Sequence, residues 1–351
     1  MVEGFRTIVE QRFGIGLVAW EQIYSGNSRV LKLRCDGGET FVAKAYPRSG
    51  EDSRDRLGVE FGALSFLWEN GIRTIPKPLY ADREANIALY GFVDGAQILP
   101  GQVDVDDISA AIAFLKSLAM LRQNQTSAVL PPASEACLSY DSYPEAIHRR
   151  LQVFAGLSGQ TPLHGAARSF IDEEFTPLFG RVEEAYCKSL AECGPDTSAE
   201  LGLRHQTLSP SDFGFHNALR QRDGDLVFLD FEYFGWDDPA KMVGDFLHHP
   251  AMLLPPNLKT RFVEGILAVF EQDPMLSFRV DRVYAIVGLK WCLIMLNEFL
   301  PGPLARRKLA GTAVDLEQTL RLQLDKAQKK LEEVRLFFES AVNRCISREM
   351  T

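Results

Sequence analysis

Three oxygen-bearing side chains stand out by type and spacing. Asp212 and Asn217 lie five residues apart in Ser211-Asp212-Phe213-Gly214-Phe215-His216-Asn217, and Asp230 ends an apolar run in Leu229-Asp230-Phe231-Glu232. Phosphoryl transfer from a nucleotide calls for such a set. One carboxylate orients the attacking hydroxyl, while an amide oxygen and a second carboxylate hold a hard cation such as Mg2+ against the phosphates. Lys44 is a further candidate. A lysine inside the apolar run Thr40-Phe41-Val42-Ala43-Lys44-Ala45-Tyr46 needs its ammonium satisfied, and an acidic partner plus a phosphate would do that. Glu60 lies near the apolar face of the next helical stretch and can point toward Lys44. Spacing alone equally allows a lysine snorkelling at a sheet edge and a solvated glutamate.

The elements that must position these groups are legible in outline. The first ninety residues read as five strands and one helix. Strands are expected at 17–23, 29–34, 40–46, 78–82 and 86–92, with Asp36-Gly37-Gly38-Glu39 closing a tight hairpin. Residues 54–70 carry helical spacing at Leu57, Phe61, Leu64 and Leu67 up to Gly71. Tyr24-Ser25-Gly26-Asn27-Ser28 turns between the first two strands, where a glycine lets backbone N–H groups approach phosphate oxygens; a plain hairpin turn fits as well. From Val93 on the chain is mostly helical, with stripes over 106–123, 144–155 and 166–191, the last broken near Pro177. A strand-rich island at 208–234 interrupts the helices. Its turn Arg222-Asp223-Gly224-Asp225 makes a hairpin that sets Asn217 and Asp230 at the open ends of two strands. Two domains follow: residues 1–93 and residues 94–351.

Composition narrows the function classes. A net charge of -9 argues against nucleic acid or an anionic membrane as the main partner. The most apolar helix, around 285–300, contains Lys290, Asn297 and Glu298 and is too short and charged to span a bilayer. The N-terminal stretch has Glu3, Arg6, Glu10 and Arg12 where a signal peptide would be apolar. Six cysteines without paired spacing read as free thiols in a reducing cytosol, with Cys292 in the core. His248 and His249 are adjacent and cannot share a helix face, so no metal role is read there.

The combined order of motifs is similar to that of the aminoglycoside phosphotransferase and choline kinase-like enzymes, small-molecule relatives of the protein kinases. Those enzymes carry Asp-x-x-x-x-Asn, then Ile-Asp-Trp/Phe-Glu, then Gly-(Asp)-Pro and a further helical Asp. This chain has Asp212 to Asn217, Leu229-Asp230-Phe231-Glu232, Gly235-Trp236-Asp237-Asp238-Pro239 and Asp245. Val42-Ala43-Lys44 resembles the kinase nucleotide lysine, Glu60 its helix partner, and Tyr90-Gly91-Phe92-Val93-Asp94-Gly95 the hinge.

The resemblance, which covers residues 20–300, implies an α+β, two-lobed protein kinase-like fold. It implies a cytoplasmic enzyme that uses ATP, or GTP, with Mg2+ to phosphorylate a hydroxyl of a small molecule such as an amino sugar, sugar or amino alcohol. Asp212 would be the catalytic base or hydroxyl-orienting carboxylate, and Asn217 and Asp230 the Mg2+ ligands. Lys44 would contact the α/β-phosphates and Glu60 would hold it. Gly26, Asn27 and Ser28 would form the phosphate loop, backbone groups of Tyr90, Phe92 and Val93 would receive the base, and Asp245 would be structural. Two departures stand out: Pro210-Ser211 replaces the family's His-Gly, and Gly26 is the only glycine of its loop. The alternative from another class is a pseudokinase-like nucleotide-binding scaffold.

Two features remain outside the motifs. Glu232, Asp237 and Asp238 form either a lure for a cationic acceptor or a solvated acidic rim, the second being favoured. Leu320, Leu324, Ala327, Leu331, Val334, Phe338, Ala341 and Cys345 mark a heptad seam. It packs along the helical lobe or dimerises two copies.

Overall fold

A computed structural model of the chain describes residues 2–14, 16–23, 28–47, 54–157, 161–301 and 315–349. Two compact units emerge. Among the described residues the first comprises those up to Val103 together with Phe215–Phe234; the second takes Asp104–Gly214, 235–301 and 315–349. The boundary expected at residue 93 lies later because β6 (Gly95–Gln97) pairs with β8 (Ala218–Gln221), which ties that segment to the first unit.

In the first unit, β1 (Leu17–Ile23), β2 (Arg29–Cys35), β3 (Thr40–Ala45), β4 (Pro78–Asp82) and β5 (Ile87–Gly91) form an antiparallel sheet in the order β1-β2-β3-β5-β4. Its alternation is the expected one. Leu31, Leu33, Cys35, Ala43, Ile87 and Leu89 build the apolar core on one face. Lys44 and Tyr46 take the other face, where α2 (Arg56–Glu69) supplies Glu60 from among its buried Leu57, Leu64 and Leu67. Only one helix was expected here. The structure adds α1 (Val2–Phe13), whose fully buried Phe5 and partly buried Ile8 join the core. Two anchors on a mostly polar turn of chain suffice once a sheet face is there to receive them. β8 and β9 (Leu226–Phe228) form the expected hairpin.

The second unit is helical: α3 (Val105–Leu121), α4 (Ser142–Ala155), α5 (Pro162–Ser169), α6 (Thr176–Cys193), α7 (Pro239–His248), α8 (Pro256–Val269), α9 (Leu276–Met295) and α10 (Leu316–Glu349). The break expected near Pro177 is a π-turn over Phe170–Phe175 joining α5 to α6. Short strands β7 (Thr207–Ser209) and β10 (Gly235–Asp237) pair antiparallel and frame the segment containing Asp212. Residues Leu320, Leu324, Ala327, Leu331, Val334 and Phe338 of the heptad seam are buried, and α10 lies along α9. The approach is close: a Cβ on Gly288 would come within 2.5 Å of the Val334 side chain. The seam is thus filled from within the unit, so a homodimer through α10 would have to use other faces of that helix. No described helix is long and apolar enough to cross a membrane. The five described cysteines are free thiols, Cys292 fully buried as expected; the Cys345 side chain lies outside the description.

Candidate active site

Lys44 is the centre of the site in the first unit. Its Nζ donates to Glu60 Oε2 at 2.7 Å and Asp230 Oδ1 at 3.0 Å, and lies 2.8 Å from Glu232 Oε1. Lys44 and Glu60 are only 8% and 4% exposed, which excludes the snorkelling lysine and the solvated glutamate. Burial alone would push the Lys44 amine down, but Asp230, then Glu60 and Glu232, outweigh it and hold the amine well above its ordinary value. Glu60 is held in turn. Tyr46 Oη donates to its Oε2 at 2.8 Å, and the Phe231 N–H reaches its Oε1 at 3.3 Å.

Glu232 belongs to the same cluster, which overturns the rim expected from its charge. It is 4% exposed and receives Ser28 Oγ at 2.7 Å and Arg56 Nη1 at 2.6 Å in addition to Lys44. Burial would raise its pKa, but Lys44, then Arg56 and Ser28, bring it down to about 2. Asp237 and Asp238, in the second unit, are fully buried as well. Asp237 accepts from Lys241 at 2.7 Å, while Asp238 caps α7 through the Ala240 N–H and binds Arg279 and the Tyr143 hydroxyl. Neither forms a lure or a rim. Asp245 joins Lys241 at 2.8 Å and the Trp291 indole N–H at 2.9 Å, and lies against Lys290, the buried structural position expected of it. Lys241 and Lys290 overcome burial and keep its carboxyl low.

The β8–β9 hairpin sets the candidate cation ligands. The Leu229 N–H donates to the Asn217 carbonyl at 2.7 Å, so Asn217 sits across from the residue preceding Asp230. Asp230 itself has φ +63°, a left-handed conformation that Asp tolerates better than most residues. Glu60, Asp230 and Glu232 each bring a carboxylate oxygen within 4.8 Å of the others. Glu60 and Glu232 are buried and bound to Lys44, with side chains 5% and 3% exposed, whereas that of Asp230 is 38% exposed. Of the three carboxylates, that of Asp230 is therefore the one left open to a further ligand.

The remaining expected residues fall as follows. Gly26 and Asn27 lie outside the described residues. Ser28 is described, and its hydroxyl faces Glu232. Tyr90 is paired with Val42 on one side and Pro78 on the other, and its hydroxyl shares a 2.6 Å hydrogen bond with that of Tyr46. Phe92 and Val93 follow the last residue of β5, with Lys32 Nζ 4.3 Å from the centre of the Phe92 ring. Asp212 belongs to the second unit. Its backbone N–H donates to the Pro210 carbonyl at 2.9 Å across Ser211, which has φ +67°. The structure thus makes a three-residue turn with serine where glycine would be unstrained. Ser211 Oγ donates to the Ser134 carbonyl at 3.2 Å, and Phe213 stacks on Phe114 and Phe246 at 5.8 and 5.7 Å.

This architecture, a five-stranded antiparallel sheet with its helices and a mainly helical unit, is the protein kinase-like fold of small-molecule kinases. Among solved structures the chain is similar to spectinomycin phosphotransferase APH(9)-Ia in complex with ADP and spectinomycin (TM-score 0.59, 12% identity, 93% of this chain and 98% of that one). It is similar also to the choline kinase LicA from Streptococcus pneumoniae (0.57, 16%, 95% and 99%) and to a Plasmodium vivax ethanolamine kinase (0.57, 13%, 94% and 88%). No protein-family model matches the sequence, and no curated protein does.

Proposed function

We propose that the protein is a nucleotide-dependent phosphotransferase that moves a γ-phosphoryl group to a hydroxyl of a small molecule. The observation that carries this reading is the buried Lys44 ammonium, fixed by Glu60 from α2 and by Asp230 from the hairpin. A lysine kept cationic and immobile is pre-organised for the α/β-phosphates. ATP is the expected donor, with GTP the competing one; the neighbours bound to ADP or AMP support a nucleotide. Asn217 and Asp230 would hold Mg2+, which neutralises phosphate charge when bound. Asp212 orients the acceptor hydroxyl and receives its proton. The acceptor is an amino sugar, sugar or amino alcohol, and the enzyme works in the cytoplasm.

Acceptor-stimulated ADP release across a panel of such compounds tests the proposal. Asp212→Asn should lower turnover by about 10²–10⁴-fold with nucleotide binding intact. Asp230→Asn should weaken Mg2+-dependent nucleotide binding. Normal turnover by Asp212→Asn would remove the mechanism, and an intact fold that binds nucleotide yet phosphorylates nothing would favour the scaffold.

A further inference from the structure

A side chain from the far end of α7, that of His249, stands next to Asp212. His249 caps that helix, its N–H bonded to the Asp245 carbonyl at 3.0 Å. Its ring is only 14% exposed and stands edge-on to Trp291, with centroids 4.7 Å apart and planes at 83°. Trp291 is pinned through its indole N–H to Asp245. The ring's Nδ1 accepts the Ala251 N–H at 3.2 Å. A neutral imidazole that accepts at Nδ1 carries its proton on Nε2. That nitrogen lies 3.6 Å from Asp212 Oδ1.

We propose that His249 is a positioning residue for Asp212, holding its carboxylate with an Nε2–H dipole from outside the loop. The need for such a residue is visible in the chain. Pro210 offers no backbone N–H, and Ser211 holds a left-handed turn that glycine would hold without strain. The loop therefore carries its reactive carboxylate on a strained turn, and a fixed donor restricts the rotamers of Asp212. The 3.6 Å separation is longer than a hydrogen bond, as is common for a contact that tightens only when the acceptor binds.

This inference rests on the reading of Asp212 as the hydroxyl-orienting group, and the test separates the two. His249→Leu removes the donor, and His249→Gln restores an N–H donor near the Nε2 position. Melting temperature and ADP binding report on folding. In the transfer assay His249→Leu should lower kcat by about tenfold to a hundredfold with nucleotide KM unchanged, and His249→Gln should recover most of it. Wild-type kcat in the leucine variant, or equal loss in both variants, would overturn the proposal while leaving that of Asp212 intact. An arm independent of turnover reads the ring directly by ¹⁵N NMR. Nε2 should be the protonated nitrogen at neutral pH, and its resonance should move in Asp212→Asn. An Nδ1–H tautomer, or a resonance indifferent to Asp212, would overturn the contact even if the protein transfers no phosphate at all.

Discussion

At the scale of single residues the chain concentrates strain and charge where the proposed chemistry lies. Ser211 stands at φ +67° and Asp230 at +63°, while Lys44 is clasped by three carboxylates. A left-handed serine costs about 1–2 kcal/mol relative to a relaxed backbone. Ser211→Gly should therefore stabilise the protein by up to ~1 kcal/mol in urea unfolding, offset by the entropy glycine adds to the unfolded chain and by the lost Ser134 bond. Unfolding at a lower urea concentration in the glycine variant would mean that the hydroxyl bond outweighs the strain. Residue-level reading goes furthest where the side chain's own strand or helix dictates its direction, although spacing alone leaves Lys44 open between a paired and a snorkelling lysine. Lys44 alternates away from the core with Tyr46, and Glu60 lies between Leu57 and Leu64 on the buried face of α2. It failed for Glu232 because the partner that neutralises it, Arg56, is 176 residues away in sequence. A charge without a visible partner reads as solvated, and nothing near Glu232 announces Arg56.

Among the elements, α10 shows how far a pattern can be read. Its heptad spacing specifies a buried stripe but says nothing about what the stripe meets. The structure answers with α9, where Gly288 admits Val334 and where Tyr284 lies 4.5 Å from Phe337. Leu331→Ala should cost about 2–5 kcal/mol of stability, as for other fully buried leucines. Leu336→Ala, 60% exposed on the same helix, should stay within ~0.5 kcal/mol. Thermal melts of the two variants check this, and equal effects would show that the seam does not pack as described. The sheet was legible strand by strand because period-two alternation and glycine turns are local signals. The helix α1 was not, since a short polar segment gains its order from a surface that the later strands provide.

For the molecule as a whole, acid sensitivity should begin well above the carboxylate range. His248 is buried against Tyr284, donating Nε2–H to its carbonyl at 2.9 Å. Burial first, then Lys330, lowers its pKa from 6.5 to about 3. The folded state keeps the ring neutral while the unfolded chain takes up a proton below pH 6.5. The stability tied to His248 is therefore whole above that pH and is lost progressively down to about 3. Between pH 7 and 5 the loss amounts to about 2 kcal/mol. Glu232 contributes only further down, between 4.5 and about 2. Urea unfolding at pH 7, 6 and 5 should show this slope in the wild type and a flatter one in His248→Gln; identical slopes would assign the effect elsewhere.

Neither compact unit is a continuous piece of chain, and this bears on how the protein is born. The first unit acquires the hairpin carrying Asn217 and Asp230 only after more than a hundred residues of the second have been made. The second keeps the α9 groove uncovered until α10 has been synthesised. On the ribosome, therefore, the apolar core from Phe5 to Leu89 is made early, but Lys44 waits for Asp230 and Glu232 while the nascent chain grows. Until the hairpin and α10 arrive, the Lys44 cluster and the α9 groove stay incomplete, a period in which apolar surface is open to chaperones and to aggregation alike.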